Sequence, residues 1–278
     1  MTGPMRRLPV GPALVIVLFV LVAIFADVLS PDDPYEQHLR ARFTPPAWLA
    51  GGSWQHPLGT DRLGRDLLSR IIYGTRVSLA AGVVTVAVSA LAGAGIGLLA
   101  GYHRGRVGGV LMRATDATLA FPIILLALVL AVTMGPRFLN VVIAIAVILW
   151  ARYARVIYGE VVSLMERDFI TMARAMGCSA LRIIAVHLFP NTAHTLIVLV
   201  SLQIGYVIIV EAALSFLGAG IPPPTPAWGS MVAEGREFVT SAWWVSFFPG
   251  VAILLVVLAF NLFGDWLRDV LDPKLRQL

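Results

Sequence analysis

Apolar residues gather in long blocks separated by polar segments, and the block length is the first clue to the fold. A hydrocarbon core of ~30 Å takes ~20 mostly apolar residues per helix. Six blocks meet or approach that length: approximately Leu8 to Ala26, Val77 to Tyr102, Asp116 to Met134, Phe138 to Tyr158, Ala193 to Leu217 and Trp243 to Phe263. The pattern predicts an all-α, polytopic membrane protein with six transmembrane helices. In the fourth block the uncharged run ends at Ala151, so Arg152 must snorkel or lie where the helix leaves lipid. The first block follows Arg6 and Arg7 and runs longer than the ~7–15 apolar residues of a cleaved leader, so it reads as a retained anchor.

Two polar regions are too long to be plain connectors. The first, approximately Asp27 to Arg76, opens with Ser30-Pro31-Asp32-Asp33-Pro34. From Asp61 onward, Leu63, Leu67, Ile71 and Ile72 share one helical face, and Asp61/Arg65 and Asp66/Arg70 are spaced as acid-first i,i+4 pairs. This predicts an amphipathic helix lying in the membrane interface and leading into the second span. The second region, approximately Arg152 to Asn191, alternates charges and has no run able to span. Asp168 to Met176 reads as a short helix closed at Gly177, and the chain resumes through Ala180-Leu181-Arg182-Ile183-Ile184 until Pro190 stops it. The chain therefore divides into an anchor, loop and interfacial helix over 1–76 and a core transmembrane unit over 77–278, with a protruding loop over 152–191.

Composition sharpens the reading. The 278 residues are 58% hydrophobic and only 13% charged, against about a quarter charged in ordinary globular chains. Basic residues place the termini: with the N-terminus inside, 13 of the 21 fall on the inner side, so both termini are expected in the cytoplasm. The net charge of +5 thus reads as topology and contact with anionic lipid, since no basic patch is interleaved with stacking aromatics as a nucleic-acid binder requires.

Several chemistries drop out. The single cysteine, Cys178, excludes a disulfide framework, and the histidines show no metal-ligand spacing. The single lysine, Lys274, follows no glycine-rich run, so a phosphate-binding loop is absent and any ATP and magnesium chemistry belongs to a partner. No catalytic residue is expected. Ser179, the one serine worth weighing for an intramembrane protease, has no convincing base partner.

Within the spans, Glu211 is the most informative acid. Its charge would cost ~2.5–3.5 kcal/mol at the bilayer centre, so it faces protein or water, either as a gate or pathway group or as a structural partner of an arginine or serine. Gln203, eight residues earlier on roughly the same face, carries the same two readings. Asp116 at the start of the third block suits a helix N-terminus. Gly93, Gly97 and Gly101 form a G-x-x-x-G-x-x-x-G strip that lets another helix pack closely. Pro122 and Pro249 are expected to kink their spans, and Pro222 to Pro226 to form a stiff outer loop.

Fragments along nearly the whole chain match a known pattern. Ala173-Arg174-Ala175-Met176-Gly177, followed after nine residues by His187-Leu188-Phe189-Pro190, resembles the EAA loop of ABC importer permeases. Ala173, Gly177 and Pro190 fit, while Thr171, Met172, His187 and Phe189 depart from it. His56-Pro57-Leu58-Gly59-Thr60-Asp61 with Gly64-Arg65-Asp66, Tyr73 to Leu79, Glu211 to Gly218, Pro226 to Gly229 and Asn261 to Asp269 resemble the C-type permease of dipeptide and oligopeptide importers.

The resemblance implies half of the translocation pathway of an ATP-driven importer in a bacterial or archaeal plasma membrane. It implies a B-type permease as heterodimer partner, two cytoplasmic ABC ATPase subunits and an extracytoplasmic substrate-binding protein facing the proline loop. It places ATPase coupling on the loop that holds Asp168, Thr171, Ala173, Arg174, Gly177 and Pro190. Gln203, Glu211 and Ser215 become pathway candidates, and Gly59, Asp61, Gly64, Arg65 and Asp66 an extracytoplasmic motif. Nickel chelates or glutathione are alternative cargoes, and an ATP-independent secondary transporter is the alternative class.

Overall fold

The computed structural model describes residues 9–271, and the basic residues expected at either terminus (Arg6, Arg7, Lys274, Arg276) lie outside them. Within that range the ordered elements are helices, with one isolated bridge between Thr60 and Asp66. We label the principal ones α1 (Val10–Ile24), α2 (Leu67–Tyr102), α3 (Arg106–Leu119), α4 (Ile123–Met134), α5 (Phe138–Leu164), α6 (Asp168–Ala175), α7 (Ala180–Phe216), α8 (Trp228–Gly235) and α9 (Trp244–Leu271). Four of them, α2, α5, α7 and α9, are long and apolar enough to cross a membrane; α3 and α4 pass together as a bent pair, and α1 is apolar but only 15 residues long. This set accommodates the six expected crossings.

The glycine strip sets the central contact. A Cβ at Gly97 would sit 2.8 Å from the Ala154 carbonyl oxygen and 2.9 Å from Ile157 Cβ, and one at Gly101 would press on the Val161 side chain. Only hydrogen fits, so α2 and α5 approach backbone to backbone. Residue numbers rise together along this seam, from Gly93 beside Tyr153 to Gly101 beside Val161, so the two helices run parallel. Helix α7 returns antiparallel, with Ile204 and Ile208 against Gly82. Val86, Ala90, Ile145, Leu149, Val207 and Val210 fill the core between them. Helix α9 closes the other side of α7, where Gly264 admits Leu202, and α1 lies on α2 and α9.

Three sequence expectations need correction. The third block is not a continuous span from Asp116: α3 begins at Arg106, ends at Leu119, and meets α4 at 89°. Proline explains the break, because Pro122 offers no amide hydrogen and drives Phe121 away from helical geometry. Pro190 does not stop a helix either. Residues Ile183–Leu188 form a wide π turn in which the Phe189 amide bonds back to Ile184, so the missing amide of Pro190 is absorbed and the helix continues to Phe216. Finally, the stretch from Asp61 is no interfacial helix. It is a buried loop, and α2 begins at Leu67 behind an Asp66 cap. Burial of Asp61, Arg65 and Arg70 overrides the apolar periodicity that pointed to a membrane-surface helix.

Candidate functional site

Helix α2 is 36 residues long, or ~54 Å at 1.5 Å per residue, and polar clusters sit at both of its ends. At its C-terminal end lies the protruding loop. Helix α6 is amphipathic in a limited way: Ile170 and Ala173 are buried against Leu98, Ile157, Val161, Ile183 and Leu188, while Asp168, Thr171, Arg174, Met172 and Met176 face out. The helix ends in a Schellman turn. Gly177 takes φ +76°, its amide bonds to the Arg174 carbonyl, and the Cys178 amide bonds to that of Ala173. Ser179 then caps α7 by accepting from the Arg182 amide at 3.4 Å. Two contacts brace the protrusion. The Arg174 guanidinium lies 5.4 Å from the Tyr102 ring centre, and Arg104 pairs with Glu166 at 2.6 Å while donating to the Val162 carbonyl. The exposed face carries large apolar side chains, Met172 at 63% and Met176 at 77% exposure, beside exposed Phe169 and Leu181. Pro190 lies outside this turn, within the first turn of straight helix after the π segment.

Gln203, Glu211 and Ser215 are all buried on α7, the last two in its C-terminal turns. The structure joins the last two and leaves Gln203 apart: Ser215 Oγ donates to Glu211 Oε1 at 2.7 Å, whereas Glu211 Oε2 is buried with no partner. The expected partner of Glu211 is therefore serine, not arginine. Ser215 lies under a tight cover, since a Cβ at Gly229 would meet Ser215 Cβ at 3.0 Å. That cover is the start of α8, anchored by fully buried Trp228, whose Nε1 donates to the Ile71 carbonyl at 3.1 Å and whose amide donates to Ser78 Oγ.

At the N-terminal end of α2 the motif residues build a charged knot. Asp66 accepts from the Ser69 amide at 2.7 Å and from Ser69 Oγ at 2.8 Å, a helix cap, and its other oxygen meets His56 Nδ1 at 3.1 Å. Asp61 accepts from the Leu63 amide at 2.8 Å and from Arg65 Nε at 2.7 Å, and pairs with Arg70. Glu234 of α8 completes the knot by accepting from Arg65 at 2.8 Å and Arg70 at 2.9 Å. Two buried arginines thus meet two carboxylates, the balance that buried charge requires. Gly59 and Gly64 have φ of +84° and +74°, and backbone crowds both, with the Thr44 carbonyl 2.6 Å from a Cβ at Gly59. Sequence reasoning missed Glu234, which lies 164 residues from Arg70 and has no local signal pointing to it. It also missed the convergence of half-buried Asp32 and His38 with exposed Glu36, whose ligand atoms lie within 4.8 Å of one another.

Comparison with known proteins now bears on this arrangement. Residues 93–277 match the family model described as the binding-protein-dependent transport system inner membrane component, and residues 10–46 match that of the N-terminal TM domain of oligopeptide transport permease C. The chain is similar to the di/tripeptide transport system permease protein DppC of Pseudomonas aeruginosa, 46% identical over 266 residues that cover 96% of this chain and 88% of that protein. It is similar to the dipeptide transport system permease protein DppC of Escherichia coli K12, 48% identical over 262 residues covering 94% and 87%. The Haemophilus influenzae protein of the same name is 42% identical, again over 94% of this chain. A family model spanning most of the bundle, with relatives aligned from end to end, establishes that the chain belongs to the inner membrane components of binding-protein-dependent transport systems.

Proposed function

We propose that the chain forms half of the translocation pathway of an ATP-driven importer of dipeptides and short oligopeptides in a bacterial or archaeal plasma membrane. The observation that carries the reading is helix α6: it packs on the membrane bundle through Ile170 and Ala173 yet presents Met172 and Met176 outward, an unfilled apolar face on a braced protrusion. On this reading that face docks an ABC ATPase subunit. Asp168, Thr171 and Arg174 rim the contact, and Gly177 fixes the turn. The matched relatives transport di- and tripeptides by name, which supports the cargo class.

The same reading places α6 and both termini in the cytoplasm and the Asp61 knot outside, facing the substrate-binding protein. A second, B-type permease supplies the other half of the pathway. ATP and magnesium are consumed by the two ATPase subunits, and this chain makes and breaks no bonds. Closure of the ATPase pair displaces α6 as a rigid body, and α7, joined to it through Ser179, carries the displacement toward Glu211 and Ser215.

The test uses the assembled complex in proteoliposomes. Met172→Asp with Met176→Asp should insert and assemble normally, yet abolish dipeptide uptake and the ATPase stimulation produced by loaded binding protein. Full stimulation in an assembled double variant would overturn the reading.

A further inference from the structure

Two arginines on the side of the bundle read as cytoplasmic are paired with carboxylates, and Arg152, inside the α5 span, is not. Arg155 pairs with Asp116 across α5 and α3, and Arg104 pairs with Glu166. Arg152, one turn earlier on α5, is exposed and has no carboxylate partner among the described residues; its guanidinium lies 5.8 Å from the ring centre of Tyr206 on α7. It stands ~21 Å along α5 from Phe138 at 1.5 Å per residue, still within membrane depth.

A lipid-facing arginine costs ~2.5–3.5 kcal/mol at the bilayer centre and less toward its edge, so this face suits water or protein better than lipid. The neighbouring surfaces agree with that. Leu125, Val129 and Val132 of α4 and Leu254, Leu258 and Leu262 of α9 are exposed and wholly apolar, as lipid contact demands, whereas the strip from Arg152 to the Arg155–Asp116 pair is polar. Tyr206 holds the guanidinium by its π face, which leaves the planar donor fork free for a bidentate acceptor.

We infer that Arg152, seated on Tyr206, is an anion-binding station on the wall of the aqueous pathway, and that its ligand is the terminal carboxylate of the peptide in transit. The inference rests on the proposed function for its ligand, while the station itself rests on the unpaired charge at membrane depth. Val156, one turn further on and 37% exposed, shares the face and serves as a reporter position.

The experiment introduces Val156→Cys into the assembled complex and follows modification of that position, by peptide mass mapping, with anionic and cationic thiosulfonates of equal size. Arg152 should make the anionic reagent react about tenfold faster than the cationic one, the scale of local electrostatic steering. Arg152→Gln should erase that preference and Arg152→Lys should retain it. A dipeptide added from the cytoplasmic side, where no binding protein selects it, should slow labelling, and its C-terminal amide should not. Gly159→Cys repeats the measurement at a position where a Cβ meets open space. No labelling at either position would mean that the strip is sealed by the partner permease or by lipid, and would overturn the inference, as would labelling without an Arg152-dependent charge preference. Equal protection by dipeptide and amide would overturn the carboxylate assignment. Dipeptide uptake by the unsubstituted complex is measured in parallel, so failure of the station and failure of the importer reading are separate results.

Discussion

Ser215 Oγ donates to Glu211 Oε1 across one turn of α7 at 2.7 Å, while the other carboxyl oxygen of Glu211 is buried without a donor. A single hydroxyl is therefore the whole described polar environment of a carboxyl group that is 1% exposed. Removing it in Ser215→Ala should lower the stability of the assembled complex by ~1–3 kcal/mol, read as a fall in unfolding temperature. In a double-mutant cycle with Glu211→Gln, the two positions should couple by ~0.5–3 kcal/mol. Additive effects would show that the bond contributes nothing.

The glycine seam makes a graded prediction. Gly97→Ala forces a Cβ to 2.8 Å from the Ala154 carbonyl, whereas a Cβ at Gly95 has nothing within 4 Å. Gly97→Ala should destabilise the bundle by ~1–3 kcal/mol through overpacking, and Gly95→Ala should be neutral or slightly favourable in the same helix. Equal thermal stability of the two variants in detergent would contradict the close approach of α2 and α5.

Glu234 holds two arginine side chains that are 3% and 1% exposed. Glu234→Ala leaves both with Asp61 alone and should cost ~3–5 kcal/mol, the range for breaking a buried ion pair. Faster proteolysis within the loop over 30–66 would be the sign of its release. Glu234→Gln, which keeps acceptor shape without charge, should fall between Glu234→Ala and the parent.

Asp27 supplies the acid-side prediction. Hydrogen bonds from Arg76 at 3.1 Å and Tyr73 at 2.8 Å hold its carboxyl below the ordinary 3.8. A carboxylate depressed in the folded state contributes stability that is present above its ordinary value and lost as pH falls through the lower folded one. Asp27→Asn should therefore weaken the tether of α1 to α2 at neutral pH and match the parent in strong acid. Because the pair is exposed, the difference should shrink in high salt. A pH-independent difference would remove the ion pair from the account.

Much of this was legible because membrane burial writes itself into local sequence. The apolar blocks located the bundle, the glycine spacing located its tightest seam, and Gly177 marked the end of α6 because a positive φ has a residue signature. What stayed hidden was either long-range or a contest between two local signals. Asp61 and Arg65 have helical pair spacing, yet both are turned inward by Arg70 and Glu234, and no window along the chain contains that set. Pro190 and Pro122 look alike in sequence; one is absorbed by a π turn and the other bends the chain by 89°, and the difference lies in which carbonyls their neighbours can still reach.

The continuity of helix α7 through its π turn, from Ala180 to Phe216, has a mechanical meaning. A rod of 37 residues is ~55 Å long, so a tilt of only ~5° imposed at its base sweeps the tip sideways by ~5 Å. On the proposed coupling, motion at the base would be magnified by leverage and reach the Trp228 lid as a lateral stroke as wide as a peptide backbone.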